Sequence, residues 1–311
     1  MFTKSFKSKK EALKQNKIYV FCPDECVSNI VEIINAHSFE LVINDFSIVD
    51  FTEKVICHYR SAQLTDKQRD FLVRATESGA WVEPLVSYLD GRLKYTEVHL
   101  LHSSYFLHQK AFSILSNKRT QITKRVLDVV SSIFLLFITL PLSLMAALLI
   151  KLESPGPILY KQKRTGQYNE EFKVYKFRSM RSDAEKNGAQ WASENDVRIT
   201  KVGKFIRKTR IDEIPQLINV LQGSMSIVGP RPEREIFIKD LEMEIPYYRF
   251  RHAVKPGVTG LAQVRYPYGA SLEDAIWKHK YDIHYIKHHS TILDLKILML
   301  TIKTVIFGMG R

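Results

Sequence analysis

A chain of 311 residues can bury one large core or two medium ones, and 45% hydrophobic residues exclude general disorder. Its 46 Lys and Arg against 33 Asp and Glu leave a formal charge of +13, which points to an anionic partner: nucleic acid, anionic lipid or a phosphorylated substrate. Three cysteines, Cys22, Cys26 and Cys57, are an odd number without metal-ligand spacing, so structural thiols are expected rather than a disulfide framework.

The N-terminus, 1–17, is a basic tail with lysines at 4, 7, 9, 10, 14 and 17, and no apolar run follows that would make it a secretory signal. Residues 18–100 read as a small α/β domain. Ile18–Cys22, Phe39–Ile43, Lys54–His58 and Trp81–Leu85 have the apolar character of buried strands. Val27, Ile30, Val31 and Ile34 recur at helical spacing, and Leu64–Ser78 is a second helix stopped by Gly79. Strands alternating with helices predict a parallel, Rossmann-like sheet. Cys22-Pro-Asp-Glu stands where a G-x-G-x-x-G fingerprint would follow the first strand, so dinucleotide binding is not assigned.

After a linker, 101–124, the segment Val126–Ile150 carries a single charge, Asp128. At ~1.5 Å per residue its length suffices for a hydrocarbon core of ~30 Å. Pro141 lacks the N–H that would bond the Phe137 carbonyl and predicts a kink, with Thr139 and Ser143 offering nearby hydroxyls. Basic residues flank both ends: Lys118, Arg119, Lys124 and Arg125 before, and Lys151, Lys161, Lys163 and Arg164 after. Two basic flanks favour a re-entrant membrane helix with both ends on one side over a straight span or a buried soluble helix.

Beyond Ser154-Pro-Gly-Pro157 the pattern is that of a mainly α domain with some strand. Ile158–Tyr160 and Phe172–Phe177 are strand-like, and helices are expected near 233–250 and 272–289. Thr291–Phe307 is apolar but holds Lys296 and Lys303 on one face, which suits a helix lying in the membrane interface or a core helix with two solvent lysines. Residues 151–210 hold 15 Lys and Arg against 7 Asp and Glu, so much of the excess charge adjoins the apolar segment.

The chemistry concentrates in Arg207–Pro232. Ile214, Leu217, Ile218 and Leu221 mark a helix, with Pro215 in its first turn and Asp212 and Glu213 at its positive end. An ionised Asp can attack phosphorus, and a neighbouring carboxylate can hold Mg²⁺. Taken alone, the pair reads first as an N-cap and a favourable first-turn acid. Arg207 and Arg210 before it, and Arg231 fixed between Pro230 and Pro232, add guanidinium groups suited to phosphate. Lys176 and Arg178 end the second strand with two more cations. His284 and His288 have the spacing of a metal pair but no third ligand, and Trp277, Tyr281 and Tyr285 read as packing residues of the same helix.

From Lys124 onward the chain resembles the bacterial sugar transferases, the monotopic polyprenol-phosphate phosphoglycosyl transferases. The residues that carry the resemblance are Lys124-Arg-Val-Leu-Asp128, Ser154-Pro-Gly-Pro157, Tyr175-Lys-Phe-Arg-Ser-Met180, Asp212-Glu-Ile-Pro-Gln-Leu217, Met225–Pro232, Lys255–Val264, Tyr281-Asp-Ile-His-Tyr285 and Leu293–Leu298. The resemblance implies a domain over 125–311 with a re-entrant helix broken at Pro141. It implies transfer of sugar-1-phosphate from a UDP-sugar to polyprenol (undecaprenyl) phosphate, with Asp212 as nucleophile, Glu213 as Mg²⁺ holder and UMP as leaving group. Arg207 and Arg231 are the implied phosphate contacts, with Lys176, Arg178, Arg210 and Gln263 as further substrate-binding residues. Initiation of exopolysaccharide, O-antigen or capsule assembly follows. The implied setting is the cytoplasmic side of a bacterial inner membrane, with the lipid bilayer, a second copy and downstream glycosyltransferases as partners and no nucleic acid.

Two departures stand out. Ser224 replaces the Asp common before the Met-Ser-Ile-Val run, and Leu140 replaces the Ser common before the proline. A catalytically decayed, basic membrane-surface protein of the same pathway is the rival reading, against which the intact dyad and Arg231 count. A nucleic-acid binder would explain the charge but not Val126–Ile150.

Overall fold

Ile18, Val20 and Phe21 are fully buried in the first strand, as an apolar run with nothing to solvate requires. The computed structural model describes residues 16–51, 54–107, 113–181, 183–184, 196–266, 269 and 271–306. Residues 1–15 of the expected basic tail therefore lie outside it. The chain folds as two compact units, Met1–Leu107 and His108–Arg311.

In the first unit the elements run β1 (Lys17–Phe21), α1 (Val27–Asn35), β2 (Glu40–Ile43), β3 (Val55–His58), α2 (Asp66–Glu77), β4 (Trp81–Pro84), α3 (Leu85–Leu93) and the short α4 (Ser103–Leu107). The four strands form one parallel sheet in the order β2-β1-β3-β4. All four expected strands are present. The last stops at Pro84, where α3 begins. Phe21, Ile56, Phe71 and Leu72 pack as one core, with Phe46 and Phe51 against it. Thr65 and Gln68 close a reciprocal cap on α2. All three cysteines are free and buried, and burial pushes the Cys57 thiol well above its usual range.

The second unit opens with α5 (Ser113–Ser116) and α6 (Lys118–Glu153). Much of the stretch expected as a linker thus belongs to helices, including the first turns of α6. This helix is 36 residues long, and by length and composition it is apolar enough to cross a membrane. It continues through Pro141 instead of breaking there. Thr139 does not serve the carbonyl freed by the proline, since its hydroxyl donates to Leu135 O at 2.7 Å, one turn back along its own helix. Phe134, Phe137, Ile138, Leu140 and Leu144 are exposed. Both ends of α6 are nevertheless held by the rest of the unit.

Those holding elements are β5 (Leu159–Thr165), β6 (Glu171–Phe177), α7 (Lys201–Lys208), α8 (Gln216–Gln222), β7 (Ser226–Val228), α9 (Glu235–Glu244), β8 (Gly257–Thr259), α10 (Leu261–Arg265), α11 (Leu272–His288) and α12 (Thr291–Ile306). At the N-terminal end of α6, Arg125 donates to the carbonyls of Val220 and Leu221 at the C-terminus of α8, where a cation meets the negative helix end. Buried Asp128 accepts from Ser226 Oγ and Ile227 N, each at 3.0 Å. Lys124 pairs with Asp294 of α12 at 2.8 Å. Toward the other end, Ala146 and Ile150 pack with Phe177, Ile206 and Ile211. The motif Lys-Arg-Val-Leu-Asp128 is therefore a clamp that ties the apolar helix to its domain.

The β5–β6 pair is an antiparallel hairpin, and β7 and β8 form a parallel pair that the sequence pattern did not reveal. On α12, Ile292, Leu295, Met299 and Ile302 are exposed, so this is not a core helix with only lysines outside. Replacing Asp128 by Ala leaves the buried Ile227 N–H without its acceptor, while Ser226 Oγ keeps the Val228 carbonyl at 3.0 Å, at a cost of about 1–3 kcal/mol. Thermal unfolding of detergent-solubilised protein should show Asp128→Ala well below wild type and Phe134→Ala close to it; equal midpoints for both would refute the clamp.

Candidate active site

Asp212 and Glu213 occupy a 3-10 turn, Ile211–Glu213, rather than the first turn of a helix. The helix α8 starts only at Gln216, with Pro215 as its N-cap. Arg210, in the left-handed region at φ 59°, swings the chain from α7 into this turn. Ile211 anchors the turn in the cluster with Phe177 and Ile150, while both carboxylates are buried.

The two acids differ in surroundings. Glu213 Oε1 pairs with Arg231 at 2.5 Å, Lys176 at 3.2 Å and Arg210 at 3.9 Å, and Oε2 accepts from Arg231 at 3.4 Å. Burial favours its neutral form, but Arg231 and Lys176 overcome this and hold it well below the usual carboxylate range. Asp212 accepts no hydrogen bond from any described residue. Burial and the neighbouring Glu213 charge raise its pKa to about 6, against the pull of Lys176, Arg207 and Arg210.

Three devices place the cations. The Arg231 turn is fixed by backbone interlock: Gly229 N donates to Thr259 O at 2.9 Å and Gly257 N to Pro230 O at 2.8 Å. A Cβ on Gly257 would lie 2.1 Å from Gly229 N, so the two loops approach as only glycine allows. Behind the turn, fully buried Arg251 donates to the Arg231 carbonyl at 3.2 Å and pairs with Glu233 at 2.9 Å and Asp282 at 2.7 Å. Lys176 is set by Asn219, whose side chain accepts from Tyr175 N at 3.0 Å and donates to Lys173 O at 2.8 Å. Ser224 supports Asn219 by donating to its carbonyl at 3.2 Å.

The structure thus brings together Asp212, Glu213, Lys176, Arg207, Arg210 and Arg231. It does not bring Arg178 to them. Arg178 is buried, and its guanidinium caps the end of α6 through the carbonyls of Ile150, Ser154 and Pro155 at 2.7–3.2 Å. Gln263 lies on α10, where its amide donates to Val258 O, with no bond to the dyad. Arg164 and Arg251 are site residues that the sequence did not single out. Arg251 follows an unremarkable Tyr-Tyr-Arg-Phe run, and Arg164 reads only as a flank of the apolar segment. Among the described residues no three His, Cys, Asp or Glu cluster as metal ligands.

The stretch of sequence that carries the apolar helix and the carboxylate pair matches known proteins. The profile of the family described as Bacterial sugar transferase covers residues 119–308. The chain belongs to the bacterial sugar transferase family. Among its relatives is the UDP-N-acetylgalactosamine-undecaprenyl-phosphate N-acetylgalactosaminephosphotransferase of Aeromonas hydrophila, 39% identical over 261 residues. That match covers 83% of this chain and 60% of the Aeromonas protein. An exopolysaccharide production protein of Rhizobium leguminosarum bv. phaseoli is 42% identical over 190 residues, 58% of this chain and 94% of that protein. The UDP-glucose:undecaprenyl-phosphate glucose-1-phosphate transferase of Escherichia coli is 41% identical over 184 residues, 58% of this chain and 40% of that protein.

The raised Asp212 pKa opposes folding. A carboxyl whose folded pKa lies above its unfolded value binds more protons folded than unfolded, so stability falls as pH rises through the window from the ordinary Asp value of 3.8 to about 6. In a metal-free buffer, Asp212→Asn should therefore unfold at a higher temperature than wild type at pH 8, with the gain fading as pH drops below 6. A variant less stable than wild type at pH 8 would show that the carboxylate is a net structural asset.

Proposed function

We propose that this chain transfers a sugar-1-phosphate from a UDP-sugar to undecaprenyl phosphate in two steps, through a covalent bond to Asp212, at the cytoplasmic face of a bacterial inner membrane. The observation that carries this reading is the division of labour within the dyad. Glu213 is fixed as an anion by three cations, whereas Asp212 is buried, accepts no hydrogen bond from the described residues and lies in the field of Lys176, Arg207 and Arg210. The names of the relatives supply the substrate classes, a nucleotide sugar and a polyprenol phosphate.

In the first step an oxygen of ionised Asp212 attacks the sugar-bearing phosphorus. A P–O bond to the carboxylate forms, the bond to the bridging oxygen breaks, and UMP leaves with the electron pair. In the second step a phosphate oxygen of the lipid attacks the same phosphorus and expels the Asp212 carboxylate. The chain's part is to keep water from the acyl-phosphate by burial, and to offset developing phosphate charge with Arg207, Arg210, Arg231 and Lys176.

Magnesium takes one or two carboxylates and completes its shell with water and phosphate oxygens. Glu213 with Asp212 beside it is a donor set of that kind, and Glu213 would be the holder. When bound, the ion supplies positive charge to the phosphate oxygens.

A re-entrant disposition of α6 belongs to this proposal. It is supported by the attachment of both helix ends to the same unit, through Arg125 and Asp128 at one end and Ala146 and Ile150 at the other. We assign catalysis to the C-terminal unit and a Rossmann-like fold, without a role, to the N-terminal one, whose β1 is flanked by β2 and β3.

The test uses purified protein with a panel of radiolabelled UDP-sugars. Without any lipid acceptor, wild type should release UMP and retain label on the protein, and Asp212→Asn should do neither. With undecaprenyl phosphate and Mg²⁺, labelled lipid should form and be lost in Asp212→Asn, while Glu213→Gln should require more Mg²⁺. Full turnover by Asp212→Asn would end the covalent reading, and lipid-dependent UMP release without protein label would favour direct transfer.

A further inference from the structure

The β5–β6 hairpin carries a row of polar groups that the dyad chemistry leaves unused. In its register Tyr160 lies opposite Lys176, Gln162 opposite Val174 and Arg164 opposite Phe172. Directly opposed residues of an antiparallel pair share a face, and so do alternate residues along one strand. Tyr160, Gln162 and Arg164 therefore line the face from which Lys176 reaches Glu213.

These groups are linked. Gln162 donates to the Tyr160 hydroxyl at 3.2 Å, and its side-chain oxygen accepts from Arg164 at 2.6 Å. The other amino group of Arg164 lies 3.5 Å from the carbonyl of Pro232, the residue after Arg231. Every one of these partners is neutral. No carboxylate lies within ion-pairing distance of Arg164 among the described residues, and Glu233, the acid whose field it feels, is held by Arg251 at 2.9 Å and by the Tyr248 hydroxyl at 2.8 Å. Burial and adjacent Arg231 push the Arg164 pKa down to about 10, which still leaves it charged at neutral pH. A guanidinium pre-oriented by neutral acceptors beside a second guanidinium is a site that lacks its anion.

We propose that Arg164 binds a phosphate group of a substrate, with Gln162 and the Pro232 carbonyl holding its guanidinium in place. The phosphate is that of the nucleotide sugar or that of the lipid acceptor, and in both cases the inference rests on the transfer reaction proposed above. A planar fork binds phosphate through paired N–H donors, and lysine offers a point charge alone. Arg164→Lys therefore keeps the charge and loses the geometry, while Arg164→Gln loses both.

The experiment compares full-length wild type, Arg164→Gln and Arg164→Lys in detergent, by thermal unfolding with and without UDP and by steady-state kinetics. If Arg164 receives the donor phosphate, UDP raises the Tm of wild type and barely that of Arg164→Gln, with Arg164→Lys between. The KM for the UDP-sugar then rises about ten- to a hundredfold in Arg164→Gln, the range expected for a charged hydrogen bond, while the KM for undecaprenyl phosphate stays put. If it receives the acceptor phosphate, UDP protection is equal and the KM for undecaprenyl phosphate rises instead. Equal UDP protection with both KM values unchanged overturns the proposal. Wild type that is protected by UDP yet turns over no UDP-sugar would strike at the transfer reading, while the UDP comparison would still decide the role of Arg164.

Discussion

The ion pair between Glu213 and Arg231 is the constraint on which the rest of the second unit depends. A carboxylate buried to this degree would lose its charge unless cations were brought within bonding distance. Arg231 is brought there by a turn that cannot drift, because Gly229 and Gly257 touch backbone to backbone and Pro230 and Pro232 restrict the chain on either side. Arg251 then holds the turn from behind through its carbonyl, with Glu233 and Asp282 neutralising the buried guanidinium. Removing one partner from such a buried network costs more than the pair itself contributes, since the others are left charged and unpaired. The motifs around Gly229 and Gly257 thus serve a single end, a fixed guanidinium facing a fixed carboxylate.

The same logic couples the apolar helix to the chemistry. Arg125 caps α8, the helix that follows the dyad, and Asp128 caps the start of β7, the strand that leads to Arg231. Arg178 caps the far end of α6 from the strand that supplies Lys176. The apolar helix and the strands that carry the cations are therefore one hydrogen-bonded object.

Much of this was legible in the sequence, and what was not has identifiable causes. Apolar runs such as Ile18–Phe21 and Val55–His58 are self-evident because a buried parallel strand is apolar on both faces. β7 and β8 escaped because three residues each, Ser226-Ile-Val and Gly257-Val-Thr, carry no periodicity, and their pairing joins segments far apart in the chain. The dyad read as a helical first turn because Ile214, Leu217 and Ile218 extend the helical spacing back toward it. The left-handed Arg210, which makes the separate 3-10 turn, has no signature in a one-residue code. Arg178 and Lys176 look alike in sequence, two cations two apart on one strand. Only the fold shows that one reaches Glu213 and the other the carbonyls of α6.

Positive charge is in excess around the dyad. Lys176, Arg207, Arg210 and Arg231 surround two carboxylates, of which Glu213 already engages three of these cations. Buried charges of one sign repel, and the depressed pKa of Lys176, caused first by burial and then by Arg231 and Arg164 outweighing part of the pull of Glu213, records that strain. In the transfer reaction proposed above, a diphosphate beside these cations would exchange cation–cation repulsion for cation–phosphate attraction, with the positive charge already in place before the reaction.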